Sequence, residues 1–500
     1  MSGKSLPMLS KSRFGAGLQC FKRLHLESYS RELADPIDPS QQAVFDSGNA
    51  VGELARKRFP EGRLIDEPFY AHARGEATTS KAIADPNVPS IYEAAFTFEE
   101  IRVRVDVLRR NDGNDFDLIE VKSSTKVKPE HIPDAAIQLH VVEGSGIPIR
   151  NVFLMHIDNS YIYEDGPYDL DKLFHMEDIT DQAQAILSSI PDSVASMWEV
   201  LHQSEAPEIE IGSQCTRPYQ CSFYMYCRRD LPEHHIEQLP RTRPELVEKL
   251  HAADIDDIRD IPSGFPSLSA TQERVRNAVV TGEPYVGPEL AESLSQLTYP
   301  LHFLDFETFN PALPAYPGTR PYQVIPFQWS LHVQDSAGNV EHVPFLHDGD
   351  GDPREAFVTS LLDAIGPAGT IVVYSAYEQT MMKGLAKLFP RYEERLLALC
   401  DRLLDLLVVV RAHYYHPDFH GSYSIKAVLP ALVPDLTYSN LDIQDGALAS
   451  VFFAEMIAPD TTEPERKRIR NALLEYCAMD TMAMVRLLAV LLSQDQPAPR

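Results

Sequence analysis

The stretch IRVRVDVLRR-NDGN-DFDLIEVKSS, residues 101–124, alternates apolar and polar side chains, turns at a glycine-containing tetrapeptide and alternates again. That is the pattern of a β-hairpin over 101–123. Glu120 and Lys122 are two apart on its second strand and share a face, while Ile119 and Val121 point into the opposite layer. A two-residue turn at Asp112-Gly113 would pair position 106 with 119 and send Asp106 to the wrong face. A three-residue loop centred on Gly113 pairs 106 with 120 instead. With that register Asp106 and Glu120 can hold Mg²⁺ or Mn²⁺, and Lys122 can orient water or stabilise charge on a scissile phosphate. An exposed cross-strand charge pattern gives the same Glu-x-Lys spacing. Against it stands the setting, because these charges interrupt VRVDV and LIEVK, where burying a lysine is costly.

Working outward, a helix is expected over 133–143 and a strand over 149–158. Downstream, HFLDFET (302–308), PFQWSLHV (326–333) and VEHVPFLH (340–347) read as strands, PREAFVTSLLDAIG (353–366) as a helix and TIVVYSA (370–376) as a strand. Mostly helices follow. Both halves are therefore α/β. Between them, prolines recur every few residues with no long apolar run, which predicts a linker with short helices at 229–298 and domains at 1–228 and 299–500.

The chain carries 45 basic and 73 acidic residues, a net charge of −28, which excludes coating nucleic acid by bulk charge. Acidic side chains are also what magnesium sites are made of, so nucleic-acid chemistry at a metal stays open. Residues 1–25 form the clearest basic segment, with Lys4, Lys11, Arg13, Lys22 and Arg23 and no acid. No stretch approaches 18 uninterrupted apolar residues and the start lacks an apolar signal core, so a cytoplasmic chain without a membrane partner is expected.

Six cysteines in such a chain argue against a disulfide framework. Cys215, Cys221 and Cys227 stand six apart, without the C-x₂-C knuckle typical of structural zinc, and Cys20 would be a fourth ligand. Four thiolates suit a [4Fe–4S] cluster, with Zn²⁺ or free buried thiols as alternatives. Farther on, Asp305 and Glu307 share one strand face, Glu378 follows a strand, and Tyr476 lies one helical turn before Asp480. Converging, the four acids could clamp two divalent ions about 3.5–4 Å apart, with Tyr476 positioning the nucleophile. Asp405 is an alternative ligand, and Trp329 reads as core.

These residues carry two resemblances. Asp106, Glu120-Val-Lys122 and Gln138 on the following helix resemble the PD-(D/E)XK core of the RecB-like nuclease superfamily, a restriction-endonuclease-like fold. LSKSRFGAGLQCFKRLHLE (9–27) resembles the start of its iron–sulfur members, in which one N-terminal and three C-terminal cysteines bracket the nuclease core. That likeness covers about 8–228 and implies that Gln138 joins the catalytic set. The early metal-ligand histidine of that family falls on Gly52, beside Glu53 as a substitute, and the tyrosine expected four residues after Gln138 is Val142. Asp305-Phe-Glu307, Tyr374-Ser-Ala-Tyr-Glu378 and Tyr476-x₃-Asp480 resemble, in this order, the three exonuclease motifs of DnaQ-like, DEDDy-type RNase H-fold domains over about 299–495, with glutamate at 378 where the family usually has aspartate.

Together the resemblances imply a metal-dependent nuclease with two active sites, hydrolysing DNA ahead of RNA, and similar to a bacterial nuclease family for which repair or defence is the expected setting. The alternative is a nucleic-acid-binding or scaffold protein with one or both centres degenerate.

Overall fold

The computed structural model describes residues 7–113 and 115–494, so Lys4 of the basic segment lies outside the described residues. The chain divides into two compact units, Met1–Asp230 with Pro311–Gln323, and Leu231–Asn310 with Val324–Arg500. Both are mixed α/β, the class read from the sequence.

In the first unit the strands are β1 (Leu9–Ser10), β2 (Arg63–Leu64), β3 (Ser90–Phe98), β4 (Ile101–Arg110), β5 (Phe116–Lys122), β6 (Ile149–Ile157) and β7 (Phe174–Asp178). They form one sheet in the order β2-β3-β4-β5-β6-β7, with β1 paired in parallel to the start of β4. The Asn111 N–H donates to the Asp115 carbonyl, closing a three-residue loop. Val107 then faces Ile119 and Leu108 faces Leu118, so Asp106 comes opposite Glu120 as the loop length required. The helix His131–Gly144 connects β5 to the parallel β6 and buries Ile137, Val141 and Val142 in the core with Leu118 and Leu154. Val142 stands where a tyrosine was looked for, and it is part of that core.

The second unit holds β8 (Tyr285–Val286), β9 (Leu301–Phe309), β10 (Ile325–Gln334), β11 (Val340–Leu346), β12 (Ile371–Val373), β13 (Leu403–Asp405) and β14 (Tyr414–Tyr415). Its main sheet runs β11-β10-β9-β12-β13, with β9 antiparallel to β10 and parallel to β12. Alternation sorts the central strand β9: Leu304 and Phe306 pack with Trp329 and Phe357, while Leu301 and Phe303 meet Leu487 and Leu488 of the helix Glu463–Ser493. Asp305 and Glu307 share the face of Leu301 and Phe303. Trp329 is core, its Nε1–H donating to Ser360 Oγ at 3.0 Å. The helix Glu463–Ser493 is long and apolar enough, by length and composition, to cross a membrane. In this fold it buries Leu473, Met484 and Leu491 and carries Tyr476 and Asp480 to β9.

The stretch 229–298 is not a separate linker. It folds into the short helices Pro244–His251, Ala270–Thr281 and Leu290–Leu294, whose Leu246, Leu250, Val275 and Leu294 share one core cluster with Phe303, Val410 and Leu488. The prolines punctuate these helices rather than prevent packing. Pro244 occupies the first helical position, where its missing N–H costs nothing.

Candidate active sites

In the first unit, pairing between β4 and β5 stops at Val107 and Ile119, and one step on the Asp106 carboxylate itself takes the Val121 N–H at 2.7 Å. Glu120 is buried and saturated. Lys11 Nζ lies 2.9 and 3.2 Å from its two oxygens, Lys122 Nζ is 2.9 Å away, and Gln138 Nε2 donates to it at 2.7 Å. Lys122 also reaches Asp134 at 2.7 Å. Burial works against the Glu120 charge, but Lys11 and Lys122 outweigh it and hold its carboxyl well below the usual range. Burial and the neighbouring Glu120 push Asp106 up to about 7. Burial likewise opposes the charge on Lys122, and Glu120 and Asp134 reverse that, keeping it protonated. Glu93, on β3 between the partners of Val107 and Val105, holds a left-handed backbone (φ 56°), the kind of strain that gathers at functional positions.

The four residues singled out from the sequence, Asp106, Glu120, Lys122 and Gln138, are thus joined by Lys11 and Asp134. Lys11 changes the chemistry, because it occupies both Glu120 oxygens, and a divalent ion between Asp106 and Glu120 has to displace it. Gly52 sits on the helix Pro39–Arg56 with open space where a Cβ would go, and Glu53 beside it is exposed.

The basic segment is not a free arm. Besides Lys11, Arg13 donates to the Met8 carbonyl at 2.7 Å, and Arg23 pairs with Glu27 at 2.7 Å. Lys22 and Arg23 line a small cavity shared by Cys20, Cys215, Cys221 and Cys227. The four cysteines therefore surround one space. Cys20 joins two helices, Lys11–Gln19 and Phe21–Tyr29, and Gln19 ties them to the cysteine loop by donating to the Gln214 and Tyr219 carbonyls at 2.6 and 2.8 Å. Burial pushes the Cys221 and Cys227 thiols up, and Cys20 adds to both. Among the described residues, only Asp305, Glu307 and Cys477 form a group of ligand atoms all within 4.8 Å of one another, so no three of the four ring sulfurs stand that close.

In the second unit Asp305, Glu307, Glu378, Tyr476 and Asp480 line a single cavity of about 360 Å³, with Lys426 and Tyr377. Central β9 brings the first two, the first turn of the helix Tyr377–Leu388 brings Glu378, and the helix Glu463–Ser493 brings the last two. Burial, then Asp480 and Glu307, push Asp305 well above the carboxylate range. Burial and Asp480 do the same to Glu307. Glu378 is pushed up to about 8 by burial, with Asp405 and Asp480 adding to it. Its buried Oε2 has no hydrogen-bond partner. Tyr438 donates to Asp480 at 2.6 Å, Lys426 Nζ lies 3.3 Å from the Tyr476 hydroxyl, and Cys477 Sγ is 3.5 Å from Asp305. Crowded, like-charged carboxylates with an orphaned oxygen and too few cations are a donor set that fits a divalent ion. Asp405, the alternative ligand, is engaged in capping the helix Leu406–His413 through the Leu407 and Val408 amides.

Lys426, Tyr438 and Cys477 were not singled out from the sequence. Lys426 had a signal, being the one charge in the apolar helix Ile425–Leu432. Lys11 and Asp134 had none at that level, since Lys11 meets its partner 109 residues along the chain.

Against known proteins, a family model described as a domain of unknown function (DUF2779) matches residues 302–424, which takes in Asp305, Glu307 and Glu378 and stops short of Tyr476 and Asp480. No curated protein matches the chain. A solved structure described as "Crystal structure of SSO0001" is similar at 16% identity over 46% of this chain and 90% of that one, with a TM-score of 0.23.

Proposed function

We propose that the chain is a metal-dependent nuclease whose principal centre is the carboxylate cavity of the second unit. The observation that carries this reading is the meeting of four acids from three elements around Glu378, with an unpartnered buried oxygen and Tyr476 beside them. The sheet order β11-β10-β9-β12-β13, in which the central β9 has antiparallel β10 on one side and parallel β12 on the other, supports an RNase H-like domain of the DnaQ type. Asp305, Glu307, Glu378 and Asp480 would hold one or two divalent ions, which supply an activated water and stabilise the leaving oxygen of a phosphodiester. Burial and Asp480 keep the Tyr476 phenol protonated, so it donates to the attacking water or a phosphate oxygen, and Lys426 holds that phenol in place. End-labelled single- and double-stranded DNA and RNA, incubated with Mn²⁺, should be shortened in a chelator-sensitive way. Intact strands under every metal and substrate would overturn the reading.

For the first unit the hairpin Asp106, Glu120 and Lys122, with Gln138 from the crossover helix, supports a PD-(D/E)XK-type centre. A second reading, an inert nucleic-acid-binding module, is favoured by the Lys11 ammonium lodged on both Glu120 oxygens.

The cysteine ring supports an iron–sulfur staple. The four thiols line one cavity and lack the C-x₂-C knuckle typical of structural zinc, which favours a cluster in which each thiolate takes its own iron. Anaerobically purified protein is expected to be brown, with about four irons and four sulfides per chain. Stoichiometric zinc without iron would refute this. Cys215→Ala should lower soluble yield, because the binding energy of such a staple is partly folding energy.

A further inference from the structure

The second unit contains a groove of about 1430 Å³ that no sequence motif announces. In a chain of net charge −28, it is lined by Arg241, Arg243, Lys249, Arg274 and Arg411 against a single acid, Glu245. Other arginines of the unit are ion-paired, Arg468 with Asp442 at 2.8 Å and Arg486 with Asp435 at 2.9 Å, or spent on backbone carbonyls, as Arg402 is on Gly366 and Gly369. Here Arg241, Arg243, Lys249 and Arg411 are exposed, and none is ion-paired among the described residues. Lys249 donates to Ser267 Oγ, and Arg411 lies 6.0 Å from the Tyr423 ring.

Two further features point the same way. The helices Pro244–His251, Ala270–Thr281 and Ile425–Leu432 all begin on this groove, so that the positive ends of three helices line it. The walls are also held in costly backbone shapes, with Arg241 at φ 53° and Ser267 at φ 82°.

The groove adjoins the carboxylate cavity. Tyr374 and Ile425 line both, and Ser424 on the groove side is two residues from Lys426, which contacts Tyr476. We propose that the groove is the path by which one strand of a polynucleotide reaches the carboxylate cavity, with the basic side chains and helix ends on its phosphates and Tyr374 and Tyr423 against its bases. The cavity, of about 360 Å³, is at the low end of small-molecule sites, a size that suits the end of a single strand. This rests on the nuclease reading for the destination of the strand, not for its binding.

The test is fluorescence anisotropy of labelled oligothymidine and oligouridine on the full-length protein in EDTA, over a range of salt. Replacing three contacts, Arg241→Ser, Arg243→Ser and Lys249→Ser together, should weaken binding about tenfold or more and flatten the log–log salt slope by about 2, at about 0.7 per phosphate. Arg411→Glu, on a different element, should weaken binding as well, which guards against local misfolding in the triple variant. Lys383→Ser with Lys387→Ser, exposed on the helix Tyr377–Leu388 and outside the groove, should change neither quantity. A triple variant and an Arg411→Glu variant that both keep the wild-type affinity and slope would overturn the proposal. Strands that bind through the groove yet are never shortened would remove the nuclease reading and leave the groove standing.

Discussion

Asp305→Asn combined with Asp480→Asn is expected to reduce Mn²⁺-dependent shortening of a labelled single strand to background, because it removes a carboxylate from each of two elements that face the same cavity, where the proposed ions would sit. The same pair should make the metal-free protein more stable. Asp305 and Asp480 are buried among like charges and held above the ordinary carboxylate range, so part of the folding energy is spent on their repulsion. In EDTA the unfolding midpoint of the double variant should exceed wild type by about 2–4 °C for each kcal/mol relieved. Mn²⁺ should raise the wild-type midpoint and leave the variant's nearly unmoved.

The pH dependence has a definite sign. A carboxyl whose folded pKa lies above its unfolded value gives its full stability below the unfolded value, near 4, and loses it as pH rises through the folded one. For Glu378 that upper limit is about 8. Metal-free wild type should therefore lose stability between about pH 4 and 8, and the double variant should lose less. A wild-type midpoint that rises across this window, or a double variant less stable than wild type in EDTA, would show that the cluster is neutralised by something other than a metal.

Parts of this architecture were legible because the physics is local. The β4–β5 hairpin follows from alternation and loop parity within 24 residues, and Asp106 reaches Glu120 by register alone. The motif strand β9 and the helical pair Tyr476 and Asp480 are local in the same way. The preceding strand β3 was not read. Its turn to β4 is Glu99-Glu100, both with left-handed backbone (φ 49° and 61°), where asparagine and glycine are the residues that announce such a turn. Strand β13 has only three residues, too few for any period to register. The basic groove was hidden for a different reason. Its charges come from residues 241 to 411, and a chain-wide balance of −28 says nothing about where the minority sign is gathered.

The role of the first unit turns on two lysines. In the background of Asp305→Asn and Asp480→Asn, any remaining hydrolysis comes from the first centre. There Lys122→Met is expected to lower the rate by about 10²–10³, the usual loss for one group that stabilises transition-state charge. Lys11→Met should act in the opposite direction. A charge-assisted hydrogen bond is worth about 1.5–3 kcal/mol, and a divalent ion entering between Asp106 and Glu120 must give up that much to displace the ammonium. Removing Lys11 should therefore tighten Mn²⁺ binding about 10- to 100-fold. It should be read by calorimetry on the same double-Asn background, so that the second centre contributes no heat. If Lys11→Met binds Mn²⁺ more tightly and hydrolyses faster, Lys11 is an internal cation that holds a working centre closed. If Mn²⁺ affinity is unchanged and Lys122→Met has no effect under any metal, the first unit has no working centre. The Lys11–Glu120 pair is then a permanent substitute for the metal, and the hairpin serves to grip nucleic acid for the second unit.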